Sequence, residues 1–199
     1  MAELSGAERK ALLALARETI RRYLASGERG GEPVPPRGRR PDGPPAPAPV
    51  FLERRGVFVT LHRDGELRGC IGYPLPVKPL WEAVREMALA AAFEDPRFPA
   101  VSGDELPGLD IEISVLTVPR PVPGPGDVRV GIDGIIVSKG LNRGLLLPQV
   151  PLEQRWDLEQ YISCGCRKAG LAADEWKRGV GIETFQAEVF AEREHAEEA

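Results

Sequence analysis

The chain has 199 residues, a formal net charge of −4 and 42% hydrophobic residues. That length supports one good core, or one core with a small subdomain, and the apolar content is ordinary for a soluble globular protein. The acidic balance argues against a nucleic-acid binder that works through bulk charge, and no apolar run is long enough to span a membrane.

The opening Met-Ala-Glu-Leu-Ser lacks the charged-then-apolar pattern of a signal peptide. With three cysteines and no export signal, the expectation is a reduced, cytoplasmic protein. Asn142 is the sole asparagine, beside two methionines and 20 prolines. Such a composition fits a thermophile or a GC-rich genome and does not separate the two.

In chain order, residues 5–24 predict a helix. Ser5 and Glu8 form a capping box, and Leu13, Ala16, Ile20, Tyr23 and Leu24 repeat at helical spacing. Residues 26–49, rich in Pro, Gly and Arg, predict an extended or mobile strap with no regular element. Residues 51–71 predict a hairpin turning at Asp64-Gly65. Pro79 opens the next helix, with Leu80, Val84, Met87, Ala88 and Ala91 on its face and an end at residues 93–96. Ser102 and Glu105 suggest a short capped turn. Residues 109–118 predict a strand with Ile111, Ile113, Val115 and Thr117 on one side.

A proline-rich connection at 119–126 leads to a second expected hairpin, residues 128–132 against 135–138, turning at Asp133-Gly134. It continues at 145–147 after a Gly-bearing basic loop at 139–144. A last helix is expected over 157–169, stopped by Gly170, and a strand or strand-helix piece over 184–192. Hairpins with segregated helices point to an α+β fold, mainly antiparallel sheet with flanking helices, rather than a parallel doubly wound sheet. The organisation reads as an N-terminal helix (1–25), the variable strap (26–49), the remainder of a single domain (50–192) and a charged tail (193–199).

The stretch Leu67-Arg68-Gly69-Cys70-Ile71-Gly72 is the leading candidate site. Glycine weakens a strand interior and marks a bulge or a close approach by a backbone or ligand. An arginine beside a thiol biases it toward thiolate. With a two-residue Asp64-Gly65 loop, Leu61 faces Arg68 and Val59 faces Cys70. Arg68 and Cys70 are then same-face neighbours about 6–7 Å apart. In this register His62 lies on the opposite face, which disfavours a Cys-His pair. An arginine on a partly apolar face needs an anionic partner, from a ligand or from the protein; Glu112 and Asp95 are the protein candidates. The plain alternative for Cys70 is a small apolar side chain packed on Val59.

Cys164 and Cys166 invite a metal reading, but helical spacing points their side chains roughly 200° apart. Cys166 belongs to the apolar face with Leu158, Tyr161, Ile162, Gly165 and Ala169, and His195 sits in a charged tail, so a zinc site is not expected. Asp95-Pro96-Arg97-Phe98-Pro99 reads as a rigid turn started by Asp95. Lys139 and Arg143 in the 139–144 loop offer an anion site, with a solvated hairpin loop as the plainer reading. No nucleophile elbow, zinc-protease motif or dinucleotide fingerprint is present.

Taken together, LRGCIGYPLP, AAFEDPRFPAV, LDIEISVLTVPRPV, GIIVSKGLNRGLLLPQVPLEQRWD and CRKAGL resemble the AMMECR domain family over roughly residues 8–192. The stretch around Cys70 is that family's hallmark. The resemblance implies an α+β fold with two unequal subdomains and a cleft lined by the hallmark, but no known reaction. Bacterial and archaeal members of that family resemble protein A of the AmmeMemoRadiSam system. That implies a Memo-like partner akin to extradiol dioxygenases and a radical S-adenosylmethionine enzyme, in a modification or metabolic pathway. No cofactor or metal is implied.

Two functions follow as expectations. One is an accessory module that binds a small anionic ligand, or a partner's terminus or loop, through Arg68, Gly69, Cys70, Gly72, Asp95, Arg97 and Glu112. The other is an enzyme with Cys70 as nucleophile and Arg68 as activating charge, for which Asp95 or Glu112 would have to act as base.

Overall fold

Ser5 and Glu8 close the expected capping box ahead of helix α1, Gly6–Ser26, and Gly27 ends it in the left-handed conformation at φ 70°. The strands β1 (Arg37–Arg40) and β2 (Gly43–Pro47) follow as an antiparallel pair. Next come helix α2 (Pro49–Leu52), strands β3 (Val57–Arg63) and β4 (Glu66–Tyr73), helix α3 (Leu80–Phe93) and strands β5 (Leu109–Leu116), β6 (Arg120–Val122), β7 (Gly134–Lys139) and β8 (Asn142–Leu146). Helices α4 (Val150–Glu153) and α5 (Leu158–Lys168) and strands β9 (Gly181–Phe185) and β10 (Ala187–Ala191) complete the chain. This computed structural model describes residues 4–27, 35–40 and 43–193. Parts of the strap and of the charged tail, His195 among them, lie outside the described residues.

The fold is α+β, with helices and two four-stranded sheets. The chain forms two compact units, Met1–Val115 with Glu188–Ala199, and Leu116–Ala187. In the first, the sheet order is β10-β5-β3-β4, with β3 antiparallel to both neighbours. Alternation sends Val57, Val59, Leu61, Ile111, Ile113 and Val115 into its core, each no more than 1% exposed. They meet Leu80, Val84, Ala88 and Ala91 of α3 and Leu12, Ala16 and Ile20 of α1. In the second unit, the order is β6-β9-β7-β8. Its core joins Ile135 and Val137 of β7 to Tyr161, Ile162 and Cys166 of α5. Asp157 and Gln160 cap α5 reciprocally, and the expected apolar face is the buried one.

Four expectations are corrected. The strap holds the antiparallel β1–β2 pair, because an extended Pro-rich chain still retains N–H groups that can join a ladder. Phe51 sits in α2, with Pro at its first turn, rather than in the first hairpin. The second hairpin turns at Gly140-Leu141, with Lys139 opposite Asn142, and Gly140 at φ 61° supplies the turn. Asp133 closes residues 129–133 on themselves instead. Its carboxylate accepts from the Arg129 amide and guanidinium, while the Arg129 carbonyl accepts from Ile132 and Asp133. The basic loop is thereby mostly strand, and Lys139 and Arg143 are paired with Glu175 and Glu183. Finally, the last strand is two strands in different sheets, β9 and β10, parted at Gln186.

The most consequential packing contact lies where α3 crosses β4. A Cβ on Gly69 would stand 2.2 Å from the carbonyl oxygen of Ala91, so only glycine lets the helix approach this strand. Gly69→Ala is expected to destabilise the protein by about 1–3 kcal/mol or more, since a backbone rather than a flexible side chain must yield. Chemical denaturation measures this; an unchanged midpoint would show that the helix does not depend on the contact.

Candidate functional site

The hallmark stretch lies on β4, the edge strand of its sheet. Beyond the Asp64-Gly65 turn, Arg63 pairs with Glu66 and His62 with Leu67 as expected. The register then shifts, so that Leu61 faces Gly69, Thr60 faces Cys70 and Phe58 faces Gly72. Arg68 is the extra residue of a β-bulge. The reason is physical: in the unbroken register a guanidinium would point with Leu61 into the apolar core, where Leu61 is 0% exposed. The bulge removes Arg68 from that position and offers side-chain-free Gly69 to α3. It also turns Cys70 to the opposite face.

This corrects the expected environment of Cys70. Its neighbour is Thr60, not Val59, and the Thr60 hydroxyl donates to the Cys70 sulfur at 3.3 Å. Thr60 also faces Glu112 across β5, so Glu112, Thr60 and Cys70 form one row across three strands. His62, two residues from Thr60, lies on this same face by alternation, contrary to the expected placement. The same-face argument for Arg68 and Cys70 fails too, because the bulge interrupts the alternation between them.

Arg68 binds Glu105, not Glu112 or Asp95. Its Nε and Nη2 donate to the two Glu105 oxygens at 2.9 and 3.2 Å. Arg63 and the Ser102 amide and hydroxyl donate to the same carboxylate. Both Arg68 and Glu105 side chains are largely buried, 12% and 15% exposed. The Arg68 hydrogen bonds, reinforced by the Ser102 amide, push the Glu105 carboxyl down to about 2. Among the described residues, Arg68 Nη1 is buried without a partner. Ser102-x-x-Glu105 was legible as a capped turn; its second task, holding Arg68, was not.

Asp95 and Arg97 converge on the backbone of Cys70. The Asp95 carboxylate, with its side chain 2% exposed, accepts the Cys70 amide at 2.8 Å. It also accepts the Arg97 amide, Nε and Nη2 at 3.1, 2.9 and 2.7 Å. Arg97 Nη2 donates in turn to the Cys70 carbonyl at 3.2 Å. The Arg97 guanidinium holds the Asp95 carboxyl well below the usual range, with the Cys70 and Arg97 amides assisting against its desolvation. Arg97 is itself raised by Asp95. Its guanidinium lies 5.5 Å from the Phe98 ring and remains 53% exposed. Gly72 is needed because the Phe58 ring fills the space a Cβ would take, at 2.2 Å.

Thus Cys70, Asp95 and Arg97 are brought together, Glu112 shares the thiol's row through Thr60, and Arg68 is held by a different loop residue. Thr60 and Glu105 are the members that sequence reasoning missed. Of the other cysteines, Cys166 is buried in the second core and Cys164 is half-buried beside it. Burial pushes the Cys166 thiol up. Among the described residues no cluster of three or more His, Cys, Asp or Glu is placed to hold a metal, and no helix is long and apolar enough to cross a membrane.

The Glu105 lock has a pH signature. Its carboxyl titrates at about 2 when folded, against an ordinary 4.5. Its stabilising contribution is therefore complete above pH 4.5 and is lost as the pH falls toward 2. Glu105→Gln is expected to flatten the dependence of melting temperature on pH in that window and to lower stability at pH 7. Arg68→Ala should cost about 3 kcal/mol, the low end for a broken buried pair, because Arg63 and Ser102 still hold Glu105. Thermal unfolding from pH 2 to 7 checks both; parallel curves for wild type and Glu105→Gln would refute the assignment.

The profile of the family described as AMMECR1 matches residues 13–190. A protein of Methanothermobacter thermautotrophicus is 48% identical over 198 residues, covering 96% of this chain and 97% of its own length. One from Thermococcus onnurineus is 44% identical over 192 residues, with 91% and 88% covered. The crystal structure of an uncharacterized protein from Pyrococcus horikoshii matches with a TM-score of 0.71 at 44% identity, over 91% of this chain and 89% of that one.

Proposed function

This chain belongs to the AMMECR1 family, and we propose that it is an accessory, ligand- or partner-binding component rather than a catalyst. Its setting in this reading is a modification or metabolic pathway of the AmmeMemoRadiSam type, beside a Memo-like protein and a radical S-adenosylmethionine enzyme. One observation carries the choice: the hydrogen bond to the Cys70 sulfur comes from the Thr60 hydroxyl. Asp95, the acid on the strand edge beside Cys70, is already occupied by the Cys70 amide and Arg97. A nucleophilic cysteine needs a positioned base, and a hydroxyl donor is not one.

The same geometry supports a small anionic ligand. Arg97 spends Nε and Nη2 on Asp95 and Cys70, which leaves Nη1 for an incoming carboxylate or phosphate. Arg68, locked on Glu105, serves in this reading as the anchor that holds the loop in place. Gly69, Cys70, Gly72 and Glu112 shape the surface around it.

Iodoacetamide labelling at pH 7, followed by peptide mass spectrometry, separates this reading from the alternative of a cysteine-dependent enzyme acting on an anionic substrate. Cys70 is expected to alkylate no faster than a cysteine in an unstructured peptide. Rapid stoichiometric labelling confined to Cys70 would favour the enzyme. Mass spectrometry of small molecules released from purified protein is expected to find an anion that is lost in Arg97→Gln.

A further inference from the structure

We propose that the β4 edge at Gly72 and the free corner of Arg97 together capture the C-terminal residue of a partner protein. The proposal rests on the reading of Arg97 as an anion-binding group, and it names the anion as a chain-terminal carboxylate. Both backbone groups of Cys70 point away from β3, since Asp95 accepts from the N–H and Arg97 donates to the C=O. The register runs unbroken from Cys70 to Tyr73. Residues two apart on an antiparallel strand point their backbone groups the same way, so the N–H and C=O of Gly72 also point outward. Among the described residues neither has a hydrogen-bond partner.

The clamp on Cys70 decides what binds there. An antiparallel segment bonded to Gly72 heads toward Cys70 as it nears its own C-terminus. The next outward-facing position is Cys70, and Asp95 and Arg97 already fill it. The segment therefore ends opposite Gly72, and its last group is a carboxylate. Asp95 occupies the Nε–Nη2 edge of the Arg97 guanidinium, and the Cys70 carbonyl takes the other proton of Nη2. Nη1 lies on the side away from Asp95, the side toward Gly72, and has no partner among the described residues. One carboxylate oxygen accepts from the Gly72 N–H and the other from Arg97 Nη1, both charge-assisted bonds. The N–H of the terminal residue donates to the Gly72 C=O. A simple carboxylic acid lacks that third bond. Opposite residues share a face, so the terminal side chain falls over Gly72, against the Phe58 ring that fills the space of a Gly72 Cβ. An apolar residue suits that contact. The preceding residue turns to the α3 side, where a cavity of about 280 Å³ beside Tyr73 gives it room. Glu86 in that cavity is already met by Tyr73 and Lys78, so no charge is asked of this position. Capture of a C-terminal carboxylate by backbone donors is an established mode of peptide recognition.

The test uses the full chain, ¹⁵N-labelled, titrated with acetyl-Ala-Ala-Val bearing a free C-terminal carboxylate. Saturable shifts of the Gly72 amide and of the Arg97 Nε are expected. The same peptide as its C-terminal amide is expected to bind at least about tenfold more weakly, the loss of a bond to a charged group. Methylating the valine nitrogen removes the donor to the Gly72 carbonyl and is also expected to weaken binding, as is replacing the peptide with sodium acetate. Equal binding of the amide or of the N-methylated peptide overturns the proposal. If acetate shifts Arg97 Nε and the peptide binds no more tightly than acetate, the terminus is refuted while the anion reading stands. If neither shifts Arg97 Nε, both fall.

Discussion

The Asp95 carboxylate is the constraint on which the hallmark strand depends. An edge strand leaves alternate amides unpaired, and a half-buried one cannot rely on water to satisfy them. At Cys70 the chain solves this with a side chain instead of a further strand. Asp95 takes the amide, and Arg97 neutralises Asp95 while bonding the Cys70 carbonyl. Pro96 stiffens the turn between them, and the Phe98 amide closes it on the Asp95 carbonyl. Two charged side chains thus replace the donor and acceptor of one strand residue, and the sheet ends at β4.

The connection between α3 and β5 holds this strand twice. Asp95 stands at its start and grips Cys70; Glu105 stands near its end and grips Arg68. Between these two points α3 presses on Gly69. Backbone clamp, ion pair and steric contact fall on three consecutive residues, 68–70. Ion pairs of this kind bring little net stability, because desolvation offsets the attraction. Their effect is to exclude the alternative register, in which Arg68 would enter the core and Cys70 would be buried. The thiol is displayed on the sheet's polar face because that register is excluded.

The second unit closes a turn by a similar device. Asp133, its side chain 5% exposed, takes the amide and guanidinium of Arg129 and the amide group of Gln186. A buried carboxylate held by an arginine and a backbone N–H therefore occurs in both units, at an irregular segment in each. Elsewhere in this unit the Tyr161 hydroxyl lies within reach of the carbonyls of Asp133, Leu146 and Leu147, tying α5 to the strand ends it covers. Desolvation pushes that phenol up, so it stays a neutral donor.

Local information in the sequence determined the parts that depend on near neighbours. Ser5 with Glu8 placed α1, the period of Leu80, Val84, Ala88 and Ala91 placed α3, Asp64-Gly65 placed the first turn, and the blocks around LRGCIG identified the family. The rigid Asp95 turn was legible because proline and an Asx bond act within a few residues. Tertiary structure alone decided the bulge at Arg68, the pairing of Arg68 with Glu105 and the move of Cys70 from Val59 to Thr60. None of these has a local cause. Each follows from the cost of placing a guanidinium in an apolar core and from the approach of a helix some twenty residues away in sequence. Alternation along a strand is a local rule, and it holds only until a distant contact makes one extra residue the cheaper arrangement.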